Sequence, residues 1–331
     1  MKIKDIDKIH QFSVPSPWSP PGPCNCYLIE DENLTLIDTG PNTKDAYEYL
    51  TNELAGIGYS FEDIRNVVIT HAHVDHFGLA TEIQRRSNAS VSAHVDERSR
   101  LEATLDDTQS YIRKMLDFFK STGMPASILE DLERSQRKGL KFAESVQVTN
   151  PLEDGDLLAL EKFEIEVIHC PGHTMGMIGL YDRNSRLLFS GDHVIKEITP
   201  VPLLQPEPVG SKGRFKSLVQ YMKSLERIRG LEIDCVLPAH GDIFTEVKKW
   251  IDDFFALHQT RKSDMGKIVE SAEKTAYDIC KEYFGELSGN DVHCGISEVI
   301  SHMELFHEEG LLNIKKDNGI FYFKMKKVPS R

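Results

Sequence analysis

The chain has 331 residues, 40% of them hydrophobic and 27% charged, with 39 Lys+Arg against 52 Asp+Glu and a formal charge of −13. That composition suits a globular protein with a sizeable core, while the acid excess disfavours nucleic acid, which usually calls for a basic face. No run approaches the roughly 20 apolar residues of a membrane span, the opening MKIKDIDKIHQF lacks the apolar core of a secretory signal, and six cysteines without framework spacing fit a reducing cytoplasm.

In chain order, residues 24–40 (CNCYLIEDENLTLIDTG) predict a hairpin ending at Asp38-Thr39-Gly40. Apolar residues at helical intervals (Ala46, Tyr47, Leu50, Leu54) predict a helix over 43–57. The β-branched run 66–70 reads as a strand buried on both faces, followed by a helix at 79–86 and a strand at 90–94. Residues 97–147 change character and read as a helical insertion over the mouth of a site, split at Gly123-Met124-Pro125. Strands are expected at 157–160, 163–169, 177–181, 187–190 and 235–238, with a proline-rich loop (199–210) and a helix (215–229) between the last two. Helices at 254–270, 272–284 and 294–309 follow, the last capped by Gly310. Two β-like runs, 312–315 and 320–324, flank Asn318-Gly319, a strong tight-turn signal. The expected domains are 1–253, holding the chemistry, and 254–331, a small winged-helix-like unit.

The chemistry-bearing signal is His71-Ala72-His73-Val74-Asp75-His76, four metal-ligand types within six residues directly after a buried strand. Imidazole and carboxylate groups suit zinc, whose catalytic sites keep a position open for water. A surface histidine patch is the plainer alternative. Three further segments argue against it, because each places a ligand-type residue after a strand and a Gly or Pro turn: Pro171-Gly172-His173, Ser190-Gly191-Asp192 and Pro238-Ala239-His240. Rigid strands carrying functional loops at one edge are a common way to build a site.

In order and approximate spacing, HAHVDH, PGHT, SGDH and PAHG resemble the ligand motifs of the metallo-β-lactamase superfamily, over roughly residues 20–245. The resemblance implies an αββα sandwich of two mixed sheets with helices outside and metals at one edge. It assigns His71, His73 and His173 to one metal, and Asp75, His76 and His240 to a second, with Asp192 bridging. The implied activity is a hydrolase with two divalent metal ions, zinc first and iron or manganese as alternatives, in which a metal-bridging hydroxide cleaves an ester, thioester or lactone of a small acyl compound. Asp75 is also the candidate for proton transfer to the leaving group. Antibiotic-cleaving members often carry cysteine where this chain has Asp192, which points away from that task. The C-terminal unit is similar to the winged-helix appendage of the branch holding glyoxalase II-like hydrolases and lactamase-like endoribonucleases.

Other residues have plainer readings. Asp38 divides between orienting a ligand histidine and capping a turn, and His193 reads as structural because adjacent side chains point apart. His94, His169 and His293 read as ordinary residues. Cys24 and Cys26 read as packing, as does the insertion's stripe (Leu105, Tyr111, Met115, Phe118, Phe119); Met175 and Met177 line a pocket wall or fill core. Lys212, Arg214 and Lys216 are candidates to meet an anionic substrate such as an acyl-CoA. The expected partner is a small acyl compound, with a homodimer as the oligomeric option. Single-strand RNA or phosphodiester cleavage is the runner-up function, and a non-catalytic metal-retaining sensor is a third.

Overall fold

The computed structural model describes residues 8–204 and 212–326. The first seven residues of the opening segment and half of the proline-rich stretch expected at 199–210 lie outside them. The chain divides into two compact units. The first comprises residues 1–104, 139–200 and 224–250, and the second comprises 105–138, 201–223 and 251–331.

The first unit carries two sheets. The larger runs β1 (Ile9–Val14), β2 (Cys24–Ile29), β3 (Thr35–Ile37), β4 (Asn66–Val68), β5 (Ser90–His94) and β6 (Asn150–Leu152) in spatial as well as chain order. Its first three strands are antiparallel, and β3 through β6 run parallel. The smaller contains β7 (Ile165–His169), β8 (Ile178–Asp182), β9 (Leu187–Gly191) and β10 (Cys235–Pro238) in the order β10-β9-β8-β7, with β9 and β10 parallel. Successive side chains on a strand point to opposite faces, and the larger sheet uses both. Tyr27, Ile29, Ile37 and Val68 meet Val167, Leu180, Phe189 and Leu237 of the smaller sheet in one core. Their neighbours Leu28, Leu36, Val67 and Val91 join Ala46, Leu50, Leu54 and Ile83 of the outer helices in another. This is the expected sandwich.

The helix predicted at 43–57 spans Lys44–Gly56, with Thr43 Oγ1 accepting the Ala46 N–H as N-cap. The strand expected at 157–160 is absent; only an isolated bridge joins Leu157 to Glu166, and Leu157 is exposed. Strand β1 escaped the sequence reading because its half-exposed edge position needs no continuous apolar run.

The second unit holds helices Leu105–Lys120 and Ala126–Gly139, broken where Gly123 takes a positive φ. The predicted stripe packs inside it: Met115, Phe118 and Phe119 are buried, although Leu105 is exposed. Helices Ala276–Phe284 and Asn290–Glu308 follow a short strand, β11 (Lys274–Thr275), where the sequence suggested continuous helix. β12 (Leu312–Asp317) and β13 (Ile320–Met325) form the expected hairpin, Asn318 and Gly319 both having positive φ, and β11 pairs with β13.

Candidate metal centre

The chain turns off β4, β7, β9 and β10 at the same edge of the first unit, each time into a loop carrying one of the anticipated side chains. His73 starts the short helix Val74–Phe77, which presents Asp75 and His76. Asp192 follows Gly191, whose φ of +51° lies in the left-handed region that favours glycine.

All seven residues converge. His71 Nε2 lies 2.7 Å from His73 Nδ1, which lies 3.1 Å from His173 Nε2. Asp192 Oδ2 faces this trio, 3.6 Å from His173 Nε2 and 3.9 Å from His71 Nε2. Its other oxygen, Oδ1, faces the second set, 3.6 Å from His76 Nε2 and 3.5 Å from His240 Nε2. Asp75 completes that set, at 3.8 Å from His76 Nε2 and 3.6 Å from His240 Nε2.

The outward nitrogens explain the inward ones. His76 Nδ1 donates to Asp38 Oδ2 at 2.8 Å, and His240 Nδ1 donates to the Pro23 carbonyl at 2.8 Å. Both partners accept there, so each Nε2 keeps its lone pair for the site. Thr70 Oγ1 donates to Asp38 Oδ2 at 2.8 Å and can therefore accept from His71 Nδ1 at 3.2 Å. Asp38 thus orients one histidine from each set, and its Oδ1 also accepts the Thr70 N–H. Of the two sequence readings of Asp38, orientation describes its contacts.

These features fit metal ions. His76 Nε2 and His240 Nε2 are buried and make no hydrogen bond, which is costly unless a cation takes the lone pairs. A proton on His73 Nδ1 could serve one neighbouring imidazole, whereas a cation could serve all three. Burial, then the neighbouring imidazoles of His76 and His73, holds His71 well below the usual imidazole range. Burial and His173 do the same for His73. Burial alone would raise Asp192, yet His240 and His76 hold it well below the carboxylate range. Neutral His71 and His73 beside an ionised Asp192 are protonation states that metal ligation requires. At His76 the lowering by burial is outweighed by Cys24, Asp192, Asp75 and Asp38, which hold it well above the usual imidazole range, so a cation there would displace a proton.

The remaining residues sort more simply. His193 is buried, and burial followed by His173 pushes it down to about 3. His94 and His169, read as ordinary residues, stack at 3.9 Å between ring centroids, and His293 packs edge-on to Phe119. Cys24 and Cys26 lie in the helix-side core. Arg214 and Lys216 do not form an anion-binding pair: Arg214 is buried against Glu304 and over the Phe118 ring, and Lys216 pairs with Glu308. Lys212 is exposed. The sequence reading missed Thr70 and Glu97; neither stands in a ligand-like motif, since each acts through hydrogen bonds to groups distant in the chain or to backbone.

Comparison with known proteins agrees with this geometry. The profile of the metallo-beta-lactamase superfamily matches residues 19–240. The Bacillus subtilis (strain 168) protein named "Probable metallo-hydrolase YqjP" is 28% identical over 332 residues, covering 99% of this chain and 100% of its own. The human acyl-coenzyme A thioesterase MBLAC2 is 27% identical over 231 residues, covering 66% of this chain and 74% of its own. A metallo-beta-lactamase family protein from Thermus thermophilus superposes with a TM-score of 0.81 at 23% identity, covering 96% and 99% of the two chains, a likeness of fold. With two thirds of its length matching the family profile and its motif residues gathered at one edge, the chain belongs to the metallo-beta-lactamase superfamily.

Proposed function

We propose that this chain is a two-metal hydrolase of small acyl compounds, cleaving an ester, thioester or lactone. Zinc is the first choice of metal because imidazole and carboxylate donors suit it, with iron and manganese as alternatives. The observation that carries the reading is Asp192, whose two oxygens face two separate ligand sets. His71, His73 and His173 would hold one ion, and Asp75, His76 and His240 the other. Bound there, the cations would act as Lewis acids that polarise the scissile carbonyl and acidify water.

The chain's own groups do the rest. Asp38 and the Pro23 carbonyl fix the tautomers of His76 and His240. Asp75, only partly buried, is assigned by this proposal to proton transfer to the departing alkoxide or thiolate. The similarity to a thioesterase acting on acyl-coenzyme A supports the acyl class. Six free thiols support a cytoplasmic setting. The order helix, β11, two helices, hairpin in the second unit supports a winged-helix-like reading of residues 254–331. We assign that unit to packing or dimer contacts rather than to RNA, in keeping with the acidic balance of the chain.

The test is metal analysis of the purified protein, then turnover of acyl-CoA thioesters, lactones, phosphodiesters and short RNA by zinc-, manganese- and iron-loaded samples. Hydrolysis of at least one acyl substrate is expected. Cleavage of RNA or phosphodiesters with none of any acyl compound would overturn the proposal.

A further inference from the structure

We infer that Glu97 is a positioning residue for the first metal, tying together the two loops that carry its three histidines. The inference rests on the two-metal reading above. Glu97 stands outside every ligand motif, where the sequence suggested only the start of a helical insertion. It is nonetheless buried, at 3% exposure. Its Oε2 accepts the N–H of Ala72, the residue between His71 and His73, at 2.9 Å. Its Oε1 accepts the N–H of Gly176, three residues after His173, at 2.8 Å. One carboxylate therefore satisfies two buried backbone donors from loops about a hundred residues apart in the chain.

Glycine at 176 supports the same reading independently. A Cβ there would sit 2.7 Å from Glu97 Cγ and 2.8 Å from Glu97 N, so the loop reaches the carboxylate only because position 176 has no side chain. Glu97 is itself held. Its N–H donates to the His94 carbonyl at 2.9 Å, and its carbonyl accepts the Leu101 N–H at 3.1 Å, with Leu101 in the helix-side core. The loop after β7 has a second tie, the 2.9 Å contact of His169 Nε2 with the Met175 carbonyl.

The chemistry explains why a carboxylate is needed. Both partners are N–H donors, so the clamp requires two acceptor oxygens on one planar group. An amide offers one oxygen and turns an NH2 toward the other donor. Glu97→Gln should therefore release one loop while leaving the shape of the side chain almost unchanged. Outer groups that orient metal ligands are worth 10–100-fold in affinity, and the loss should fall on the ion held by His71, His73 and His173. The other set keeps its own anchors, Asp38 and the Pro23 carbonyl.

The experiment titrates zinc into wild-type protein and Glu97→Gln against a chromophoric chelator, with far-ultraviolet circular dichroism on each sample. Two ions are expected in the wild type. In a folded variant, one should be held about 10–100-fold more weakly and the other unchanged. If Glu97→Gln does not fold, Glu97→Asp is titrated instead; it keeps both oxygens but, one methylene shorter, should still weaken one ion. A folded variant with wild-type affinity for both ions overturns the inference, even with a lowered melting temperature, because it makes Glu97 purely structural. Wild-type protein that binds no zinc, manganese or iron would overturn the two-metal reading itself, a result distinct from an intact wild type with an unaffected variant.

Discussion

The first unit gathers five histidines and two aspartates at a sheet edge; the second buries His258, Glu298 and His302 between two helices. Residue types and burial are alike, but the surrounding charges and hydrogen bonds differ. At the sheet edge, the outward nitrogens of His71, His76 and His240 meet acceptors, and the inward Nε2 atoms of His76 and His240 make no hydrogen bond. In the second unit His302 Nδ1 donates to the Glu298 carbonyl at 2.7 Å, and its Nε2 lies 3.4 Å from His258 Nδ1, so one proton bridges the two rings, although His258 Nε2 and Glu298 Oε2 stay buried without a hydrogen bond. Arg261 Nη1 donates to Glu298 Oε1 at 2.9 Å and already supplies a cation for the carboxylate. Histidine and carboxylate in proximity therefore do not define a metal site. Where the second nitrogen points, and whether a countercharge is present, decide the matter.

Substitutions can break this comparison at either end. The largest effect is expected at the sheet edge: His73→Ala or Asp75→Asn should cut turnover more than about 100-fold, beyond the usual cost of losing an outer partner, with circular dichroism unchanged. Full activity in either folded variant would exclude this site. Next comes Asp38→Asn, which replaces an acceptor shared by His76 and Thr70 and should cost about 10–100-fold in metal affinity or activity, read by chelator competition.

In the second unit the effects should appear in stability and leave metal content alone. Arg261→Ala strands the Glu298 carboxylate and should cost about 2–3 kcal/mol at pH 8, less at pH 6 where the carboxyl can take up a proton; equal losses at both pH values would count against it. The smallest effect is a pH slope. Burial, then His302 and Arg261, pushes His258 down to about 2, and burial pushes His302 down to about 4, so both are neutral when folded and bind protons near 6.5 when unfolded. Their contribution to stability is therefore lost as pH falls below 6.5. Burial raises Glu298 to about 7 against the opposing pull of Arg261, so it holds a proton when folded that the unfolded chain releases near 4.5. Between pH 4.5 and 6.5 the unfolded state binds nearly two histidine protons and the folded state one, so these groups should raise stability with pH by about 1 kcal/mol per unit. Glu298→Gln removes the opposing group and should roughly double that slope in denaturant titrations; an unchanged slope would show that the cluster does not govern it.

The seven converging residues were legible because four cluster directly after a strand and the other three each follow a strand and a Gly or Pro turn, patterns that survive in one dimension. The sandwich was legible through runs such as 66–70, buried on both faces. What was hidden depends on partners far along the chain. Asp38 stayed ambiguous until Thr70 and His76 were seen around it, and Glu97 had no signal because it binds backbone N–H groups, which every residue carries. Arg214 and Lys216 misled for the converse reason: basic residues suggest an anion, but Glu304 and Glu308, about ninety residues on, already answer them. The Leu157 strand failed because a short apolar run, Leu157 to Leu160, cannot distinguish a ladder from a single bridge.

The wide chain spacing of the convergent loops sets an order of events during biosynthesis. Of the seven proposed ligands, the four at residues 71–76 emerge together. His173 and Asp192 flank the locally paired strands β7 to β9, whereas His240 reaches the same edge only after β10 has paired in parallel with β9, a long-range closure that comes slowly. On the two-metal proposal, secure cation uptake should therefore wait for that last pairing, and metal supplied early would rest on an incomplete grip from which other ions could displace it.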